Sequence, residues 1–348
     1  MVRVTRFKDE EGMKQYAGKI LKFILFFGLG ILLIWLATYQ LTPSQRENIR
    51  TAFYEAHYWV LVPVLLIGVA SHLLRAWRWR LLMYPMGYRP SLWNVFAAVM
   101  IGYLANLAIP RMGEVTRCGV LARNGKIPVD RLIGTMIAER AVDLLSLAVI
   151  LLAAVGSQRA VLGAFFNHNI VRPLVYHFRP GADYRGMLLI VAVVVLLCLG
   201  YLLLRLFRAT RWYGKLRSIL RGIREGLVSL GRLQHKSWFF LSTILIWIAY
   251  FLMMYIGFLA LDDTAGLGLP VALAVLGFGS IGMVLTQGGI GAYQLLVAKT
   301  LTLYGIAEGV GYAFGWISWL AQTLLIVVLG LGCLSILPFL KPGRRAKA

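Results

Sequence analysis

The sequence predicts an all-α polytopic membrane protein, with about seven spanning helices and two oppositely oriented re-entrant helical hairpins that form an inverted repeat. Two observations predict the class. Mean hydropathy is +0.75 and 59% of the 348 residues are apolar, whereas about half are apolar in a soluble globule. Several runs of about 20 apolar residues are also long enough to cross a bilayer as helices. We therefore expect one transmembrane domain over residues 1–348, with no soluble catalytic domain.

The distribution of basic residues predicts how the helices are oriented. The formal net charge is +22, which raises nucleic acid as a partner. The Lys and Arg residues, however, are concentrated between the apolar runs, as in the cytosolic loops of membrane proteins. We expect membrane lipids as partners, no nucleic acid, and cytosolic N- and C-termini.

The first elements follow from the apolar runs. Residues 17–39 are too long for a signal peptide and lack a small-residue cleavage site, so they predict the first spanning helix. Residues 40–57 predict an outer loop, and residues 58–83 a helix that returns. That helix ends in RAWRWR, Arg75 to Arg80, which we interpret as a belt of Arg and Trp side chains snorkelling to the inner surface.

A charged break follows the next helix. An apolar helix from Leu92 stops at Pro110, and a half-helix from Gly113 to Ala122 follows. The half-helix would be about 15 Å long, half the thickness of the hydrocarbon core. Arg123, Lys126 and Arg131 come next, which returns the turn to the cytosol. The sequence therefore predicts a re-entrant hairpin entered from the inside, with Pro110 and Gly113 as its hinge.

The middle of the chain adds two spans and a basic segment. Residues 129–156 predict an outward helix, residues 157–185 an outer loop, and residues 186–204 a returning helix. Residues 205–236 hold nine Lys or Arg, with apolar side chains at helical spacing. That pattern is typical of an amphipathic helix on an anionic inner membrane surface; a solvated loop helix is the alternative.

A second break follows another outward span, residues 237–261. Residues 270–286 predict an inward helix, QGGIGAYQ breaks it, and residues 292–304 are again short. Residues 310–337 predict the last span. The turn at residues 305–309, between the short arm and the last span, carries no positive charge, so this hairpin would be entered from outside. Broken segments paired in the two halves of a chain indicate the central site of a transporter. Two full two-pass hairpins would give the same sidedness, and the short second arms favour re-entry.

Six ionisable residues around the first break are the candidate lipid-headgroup site: Arg111, Glu114, Arg117, Glu139, Arg140 and Asp143. Charges at membrane depth cost roughly 2.5–3.5 kcal/mol each on insertion scales and are usually functional. Glu139 and Asp143 share a helix face with Arg140 beside them. One interpretation is that the charges neutralise each other and attach the hairpin to the next helix. The other is that the guanidinium groups bind an anionic headgroup through pairs of parallel hydrogen bonds to its phosphate. The free N–H groups of the half-helix would add to that attraction.

The second break has its own candidate residues, Gly288, Gly289, Gly291 and Gln294. Glycines permit a tight break, and the half-helix after it would complete a polar pocket; a glycine-lined packing contact is the alternative. The five His residues show no metal-binding spacing, and no GxxxxGK[ST] loop is present. We therefore expect no metal and no cofactor. The three Cys residues are expected to be free.

These motifs resemble the lysylphosphatidylglycerol synthase/flippase transmembrane family, the membrane part of the multiple peptide resistance factor. The resemblance rests on four stretches in the family's order: RAWRWRLLMYPMG, GYLANLAIPRMGEVTRCGVLAR, the ERxxD of Glu139, Arg140 and Asp143, and GGIGAYQ. It implies a multi-pass protein of the bacterial inner membrane that moves a phospholipid or related polar lipid between leaflets. A homo-oligomer or a partner lipid synthase is compatible with it.

The chain departs from the family at two points. Where the family usually has Pro before the glycine pair and Glu after it, this chain has Gln287 and Gln294. The full-length synthases carry an aminoacyl-transferase domain after the membrane part, whereas this sequence stops shortly after the last predicted helix. We therefore do not expect lipid lysylation by this polypeptide. A membrane-embedded lipid-modifying enzyme, using Glu139 and Asp143 as acid and base, and an accessory subunit of a lipid synthase are the alternatives to a flippase.

Overall fold

A computed structural model describes much of the chain, namely residues 43–109, 112–125, 127–158, 231, 233, 235–339 and 344–345. Several predicted features lie outside these described residues. They are the helices at 17–39 and 186–204, most of the outer loop 157–185, nearly all of the basic segment 205–236, and the site residues Pro110 and Arg111.

The described chain is helical almost throughout, which confirms the all-α class. Its principal helices are α1 (Pro43–Glu55), α2 (Leu61–Met83), α3 (Leu92–Ala108), α4 (Met112–Gly125), α5 (Val129–Ser157), α6 (Lys236–Gly257), α7 (Leu269–Leu285), α8 (Ala292–Thr302) and α9 (Glu308–Ile336). A one-turn helix, Asp262–Ala265, precedes α7. Two short strands, β1 (Tyr88–Arg89) and β2 (Arg344–Arg345), pair antiparallel.

Four stretches of the described chain are long and apolar enough to cross a membrane: Tyr58–Met86, Val129–Ser157, Lys236–Ala260 and Glu308–Ile336. Their outward faces are apolar and exposed. On α5 this face holds Leu144, Leu145 and Val149, and on α9 it holds Leu324 and Val328. A helix whose exposed face is this apolar needs lipid rather than water around it. The chain is therefore a multi-pass membrane protein, as the sequence predicted.

Helices α3 and α4 form the first hairpin. The backbone turns extended at Ile109, with φ −139° and ψ 127°, as expected for the residue before a proline. After the break, the Gly113 N–H donates to the Asn106 side chain at 2.7 Å. The two helices then run in close contact, because a Cβ atom at Gly102 would lie only 2.9 Å from the Gly113 carbonyl oxygen.

Helices α7 and α8 form the second hairpin. The break between them uses positive φ angles at Gly288 (60°), Gly289 (80°) and Gly291 (79°), which only glycine adopts without strain. Two hydrogen bonds brace the break. Trp319 Nε1 donates to the Gly288 carbonyl at 2.6 Å, and the Gly291 N–H donates to Gln294 Oε1 at 2.8 Å.

The two hairpins enter the bundle from opposite ends. One buried cluster joins the end of α2, the start of α3, the end of α4 and the start of α5. A second buried cluster joins α1 to the end of α6, the start of α7, the end of α8 and the start of α9. Between these ends the two breaks meet, since a Cβ atom at Gly288 would lie 3.7 Å from Leu107 Cδ2. The breaks therefore lie inside the bundle.

The lengths of the second arms fit re-entry rather than full crossing. Helix α4 has 14 residues and helix α8 has 11, so they extend about 21 Å and about 16 Å against a hydrocarbon core of about 30 Å. Helix α4 is longer at both ends than the predicted Gly113–Ala122. One predicted loop was wrong, because residues 43–55 of the expected outer loop form α1. Packing stabilises this helix, because its Ala52 and the following Ala56 belong to the second buried cluster.

Candidate functional site

Two carboxylates of α5 are at the centre of the site. Glu139 and Asp143 lie one helical turn apart, about 15 Å and about 21 Å along α5 from Val129, given a rise of 1.5 Å per residue. The Glu139 side chain is fully buried, and the Asp143 side chain is 15% exposed. Two neighbouring carboxylates in the interior require cationic partners to remain charged.

Three arginines supply that positive charge. Arg75 Nη1 lies 3.3 Å from Glu139 Oε1 and 2.9 Å from Asp143 Oδ2. Arg78 Nη2 lies 3.1 Å from Glu139 Oε1 and 2.7 Å from Asp143 Oδ1. Arg117 Nη2 of α4 lies 2.6 Å from Glu139 Oε2. We call these five residues the arginine cluster, in which three guanidinium groups face two carboxylates.

Neighbouring side chains fix the orientation of the guanidinium groups. Arg75 Nη2 donates to Tyr250 Oη at 2.8 Å, and Arg78 Nη1 donates to Thr243 Oγ1 at 3.3 Å. The Arg117 guanidinium lies 4.3 Å from the centre of the Trp79 ring, within the range of a cation–π interaction. The cluster therefore ties α2, α4, α5 and α6 together.

Several buried donors of the cluster lack a hydrogen-bond partner within the described part of the chain. They are Nε and Nη1 of Arg117, together with Nε of Arg75 and of Arg78. A buried donor without a partner loses its hydration, at about 1–3 kcal/mol, more for a charged group. Such donors need an explanation in a folded protein. The cluster thus combines excess positive charge with unused donors, the two requirements of an anion site.

A second ion pair lies at the edge of the cluster. Arg140 Nη2 of α5 and Glu114 Oε1 of α4 are 3.6 Å apart, and their side chains are 41% and 30% exposed. At this distance the contact is electrostatic rather than a good hydrogen bond. This pair is the accessible part of the site.

The interpretation of RAWRWR as a snorkelling belt was wrong for Arg75 and Arg78. The two residues are only 7% and 0% exposed and point into the bundle. The signal that would have found them is their spacing, because His72, Arg75 and Arg78 follow one another at intervals of three residues, on a single helix face. Trp79 is likewise fully buried, and its Nε1 donates to Thr135 Oγ1 at 3.0 Å.

The structure brings most of the predicted site residues together. Arg117, Glu139 and Asp143 belong to the arginine cluster, Glu114 and Arg140 form the separate pair beside it, and Arg111 lies outside the described residues. Gly113, which the sequence predicted as a hinge, packs against Gly102 and Asn106 and is a close contact between α3 and α4.

The candidate residues of the second hairpin lie at its break, apart from the arginine cluster. Gln294 is 1% exposed, and its Nε2 has no hydrogen-bond partner among the described residues. The glycines show the packing alternative as well, because Gly289 lies against Met283 and Tyr293. Elsewhere in the described ranges, no group of three or more His, Cys, Asp or Glu side chains is placed to hold a metal ion.

Comparison with known proteins decides the family. The family model described as "Lysylphosphatidylglycerol synthase TM region" matches residues 20–330. This match takes in both hairpins and every residue of the arginine cluster. The chain belongs to this family. No curated protein and no solved structure matches the chain.

Membership of the lysylphosphatidylglycerol synthase TM-region family gives the site its setting. The family implies a membrane function that involves phospholipids. In this family member, the ion-paired charges therefore lie on helices of a membrane protein. The matched region is the transmembrane region of the synthase, and the arginine cluster lies wholly inside it.

Proposed function

We propose that this chain is a phospholipid or polar-lipid flippase or transporter of the bacterial inner membrane, and that the arginine cluster binds an anionic headgroup during transfer. One observation carries the proposal. Three guanidinium groups face only two carboxylates in the interior of the bundle, and Arg117 keeps two donors without a partner in the described chain. A phosphate group supplies both the missing negative charge and the missing acceptors.

The Arg140–Glu114 pair is the entrance in this proposal. Both side chains are partly exposed, and the 3.6 Å separation leaves the pair loosely held. A phosphate that approaches from the lipid side can replace Glu114 as the partner of Arg140. The headgroup then meets Asp143, whose side chain is still 15% exposed, and the guanidinium groups behind it. The acyl chains stay in the bilayer throughout.

The remaining residues hold the arginines in position. Glu139 and Asp143 each contact two or more guanidinium groups, so they orient them and limit the net charge. This arrangement suits ion pairing rather than acid–base chemistry, which favours transport over the lipid-modifying alternative. Arg111 belongs to the proposal from its place in the sequence alone, three residues before Glu114 and six before Arg117.

The distribution of charge over the described residues supports a cytosolic position for the end where α2 finishes. Arg80, Arg89 and Arg123 lie at that end, whereas Asp262, Asp263 and Glu308 lie at the other. Cytosolic segments of membrane proteins carry the excess of Lys and Arg. In the proposed orientation, the headgroup therefore enters the arginine cluster from the inner leaflet.

The test is transfer of a fluorescent anionic phosphodiester lipid between leaflets of proteoliposomes. We compare the wild-type chain with Arg140→Gln, and use Arg123→Gln as the control, since it removes an equal charge from an exposed position on α4. Loss of one charge-assisted contact of about 1.5–3 kcal/mol predicts transfer about tenfold or more slower in Arg140→Gln. The control should match the wild type. Equal transfer by both variants, or none by the wild type, would overturn the proposal and leave the ion pairs with a structural role.

A further inference from the structure

We infer that His72 and Gln322 form a polar station between the arginine cluster and the second hairpin, and that the lipid headgroup contacts it on its way across the membrane. The inference rests on the proposed function. It assigns a role to two residues that the sequence motifs do not single out and that belong to neither hairpin.

The interior face of α2 carries polar side chains over nearly two turns. Arg78, Arg75, His72 and Gly68 follow one another at helical spacing, so they line a single face. Arg78 and Arg75 belong to the arginine cluster. His72 lies one turn further from the arginine-rich end of α2, and Gly68 one turn beyond it. This face therefore leads from the cluster towards the middle of the bundle.

His72 is buried without satisfied hydrogen bonds. It is 7% exposed, and neither ring nitrogen has a hydrogen-bond partner within the described ranges. Its ring lies 5.5 Å from that of Tyr103 on α3. A neutral imidazole offers one donor and one acceptor, and leaving both unused in the interior costs about 1–3 kcal/mol for each group. An imidazole in this state can form hydrogen bonds with a hydroxyl group, a phosphate oxygen or a water molecule that reaches it.

Gln322 of α9 continues the polar face. A Cβ atom at Gly68 would lie 3.4 Å from Gln322 Oε1, so the absence of a side chain at Gly68 lets the amide lie close to α2. Gln322 Nε2 faces the sulfur of Met253 at 3.5 Å. A thioether is a weak acceptor, and a headgroup oxygen would be a better one.

The second hairpin completes the route. Trp319 lies one turn before Gln322 on α9, and it donates to the Gly288 carbonyl at the second break. One turn earlier, Gly315 allows close contact with Gln294, whose Nε2 also has no partner among the described side chains and backbone groups. Polar groups thus run from Arg75 through His72 and Gln322 to the break at Gly288.

The chemistry of the station differs from that of the cluster in a way that suits transfer. The arginines attract an anion by charge, which favours capture. His72 and Gln322 offer neutral hydrogen bonds, each worth about 0.5–1.5 kcal/mol net, so they can contact the headgroup and release it. Conduction through membrane proteins in general needs sites that bind strongly enough for entry and weakly enough for exit.

The first test distinguishes binding of the lipid to the protein from its transfer between leaflets. His72→Phe and Gln322→Leu keep the approximate size of each side chain and remove its hydrogen-bonding groups. His235→Phe, an exposed position before α6, is the control. We expect both station variants to transfer the fluorescent anionic lipid about tenfold more slowly, with its binding to the purified protein unchanged. Wild-type transfer in both would overturn this inference and leave the proposed function intact. No transfer by the wild-type chain would overturn the proposed function itself.

The second test measures water at the station without measuring lipid transfer. His72→Cys and Gln322→Cys are treated in the membrane with a charged thiol reagent, and the labels beyond those of the wild type are counted by intact mass. Leu66→Cys is the control, because Leu66 is 66% exposed on the lipid-facing side of α2. We expect one additional label on each station variant and none on the control. Station variants that are labelled only after denaturation would contradict a hydrated route.

Discussion

Arg117 and Glu139 form the shortest ion pair of the arginine cluster, with Nη2 and Oε2 2.6 Å apart although 22 residues separate them in the chain. Both side chains are buried, at 2% and 0% exposure. Arg117 lies on the half-helix α4 and Glu139 on the spanning helix α5. The contact therefore joins the first hairpin to the transmembrane bundle, so the site and the fold depend on the same residues.

The first prediction concerns the charge balance. Glu139→Gln leaves Arg75, Arg78 and Arg117 with one carboxylate between them. Removal of one partner from a buried ion pair typically destabilises a protein by about 3–5 kcal/mol. We expect a corresponding loss of thermal stability in detergent, followed by circular dichroism. The control is Asp130→Asn, on the exposed first turn of α5, which should have the same midpoint of thermal unfolding as the wild type. Equal stability of the two variants would show that the negative charge of Glu139 contributes little to stabilising the buried arginines.

The second prediction concerns the first hairpin. Gly113→Ala places a methyl group against the Gly102 carbonyl oxygen and the Asn106 side chain. Overpacking of this kind costs about 1–3 kcal/mol, so we expect a lower midpoint of thermal unfolding. The control is Gly119→Ala on the same helix, where a Cβ atom meets nothing within 4 Å. Because alanine favours a helix over glycine, Gly119→Ala should be neutral or slightly stabilising. The reverse order of the two midpoints would contradict the close α3–α4 contact.

The third prediction concerns the second break. Trp319→Phe keeps an aromatic ring but removes the donor to the Gly288 carbonyl. The Gly288 carbonyl is partly buried, and a polar group left without its partner in such a place costs up to about 1–3 kcal/mol. We expect a lower unfolding midpoint and faster proteolysis near residue 288. Trp93→Phe, at an exposed position on α3, removes the same group without that consequence. A Trp319→Phe variant as resistant as Trp93→Phe would mean that the hydrogen bond does not hold the break.

Features that depend on local chemistry were predictable from the sequence. Pro110 ends a helix because it restricts the residue before it and lacks an N–H group. The glycine group at 288–291 supplies the positive φ angles of the second break. Hydropathy and length then predicted the spanning helices, several of them to within a few residues. The ERxxD spacing also correctly placed Glu139 and Asp143 on one face.

Features that depend on contacts between distant elements were not predictable in the same way. Arg75 and Arg78 lie near a helix end, where long cationic side chains usually reach the membrane surface. Only the three-dimensional structure shows that α5 offers them two carboxylates. The same limitation applies to Leu107 and Gly288, since no local pattern indicates that the two breaks meet. Helix α1 was not predicted because its own sequence is polar, and packing against α9 is what stabilises it.

Lipid retention by the purified protein is the most direct measurement of the central claim, that Arg140 and the arginine cluster behind it capture an anionic headgroup. The protein is incubated with equal amounts of an anionic phosphodiester lipid and a zwitterionic lipid of matched acyl chains, and bound lipid is counted by native mass spectrometry. The account predicts that the wild type and Arg123→Gln retain the anionic lipid in preference, and that Arg140→Gln loses the preference. Equal retention of both lipids by the wild type, or a preference unchanged in Arg140→Gln, would contradict it.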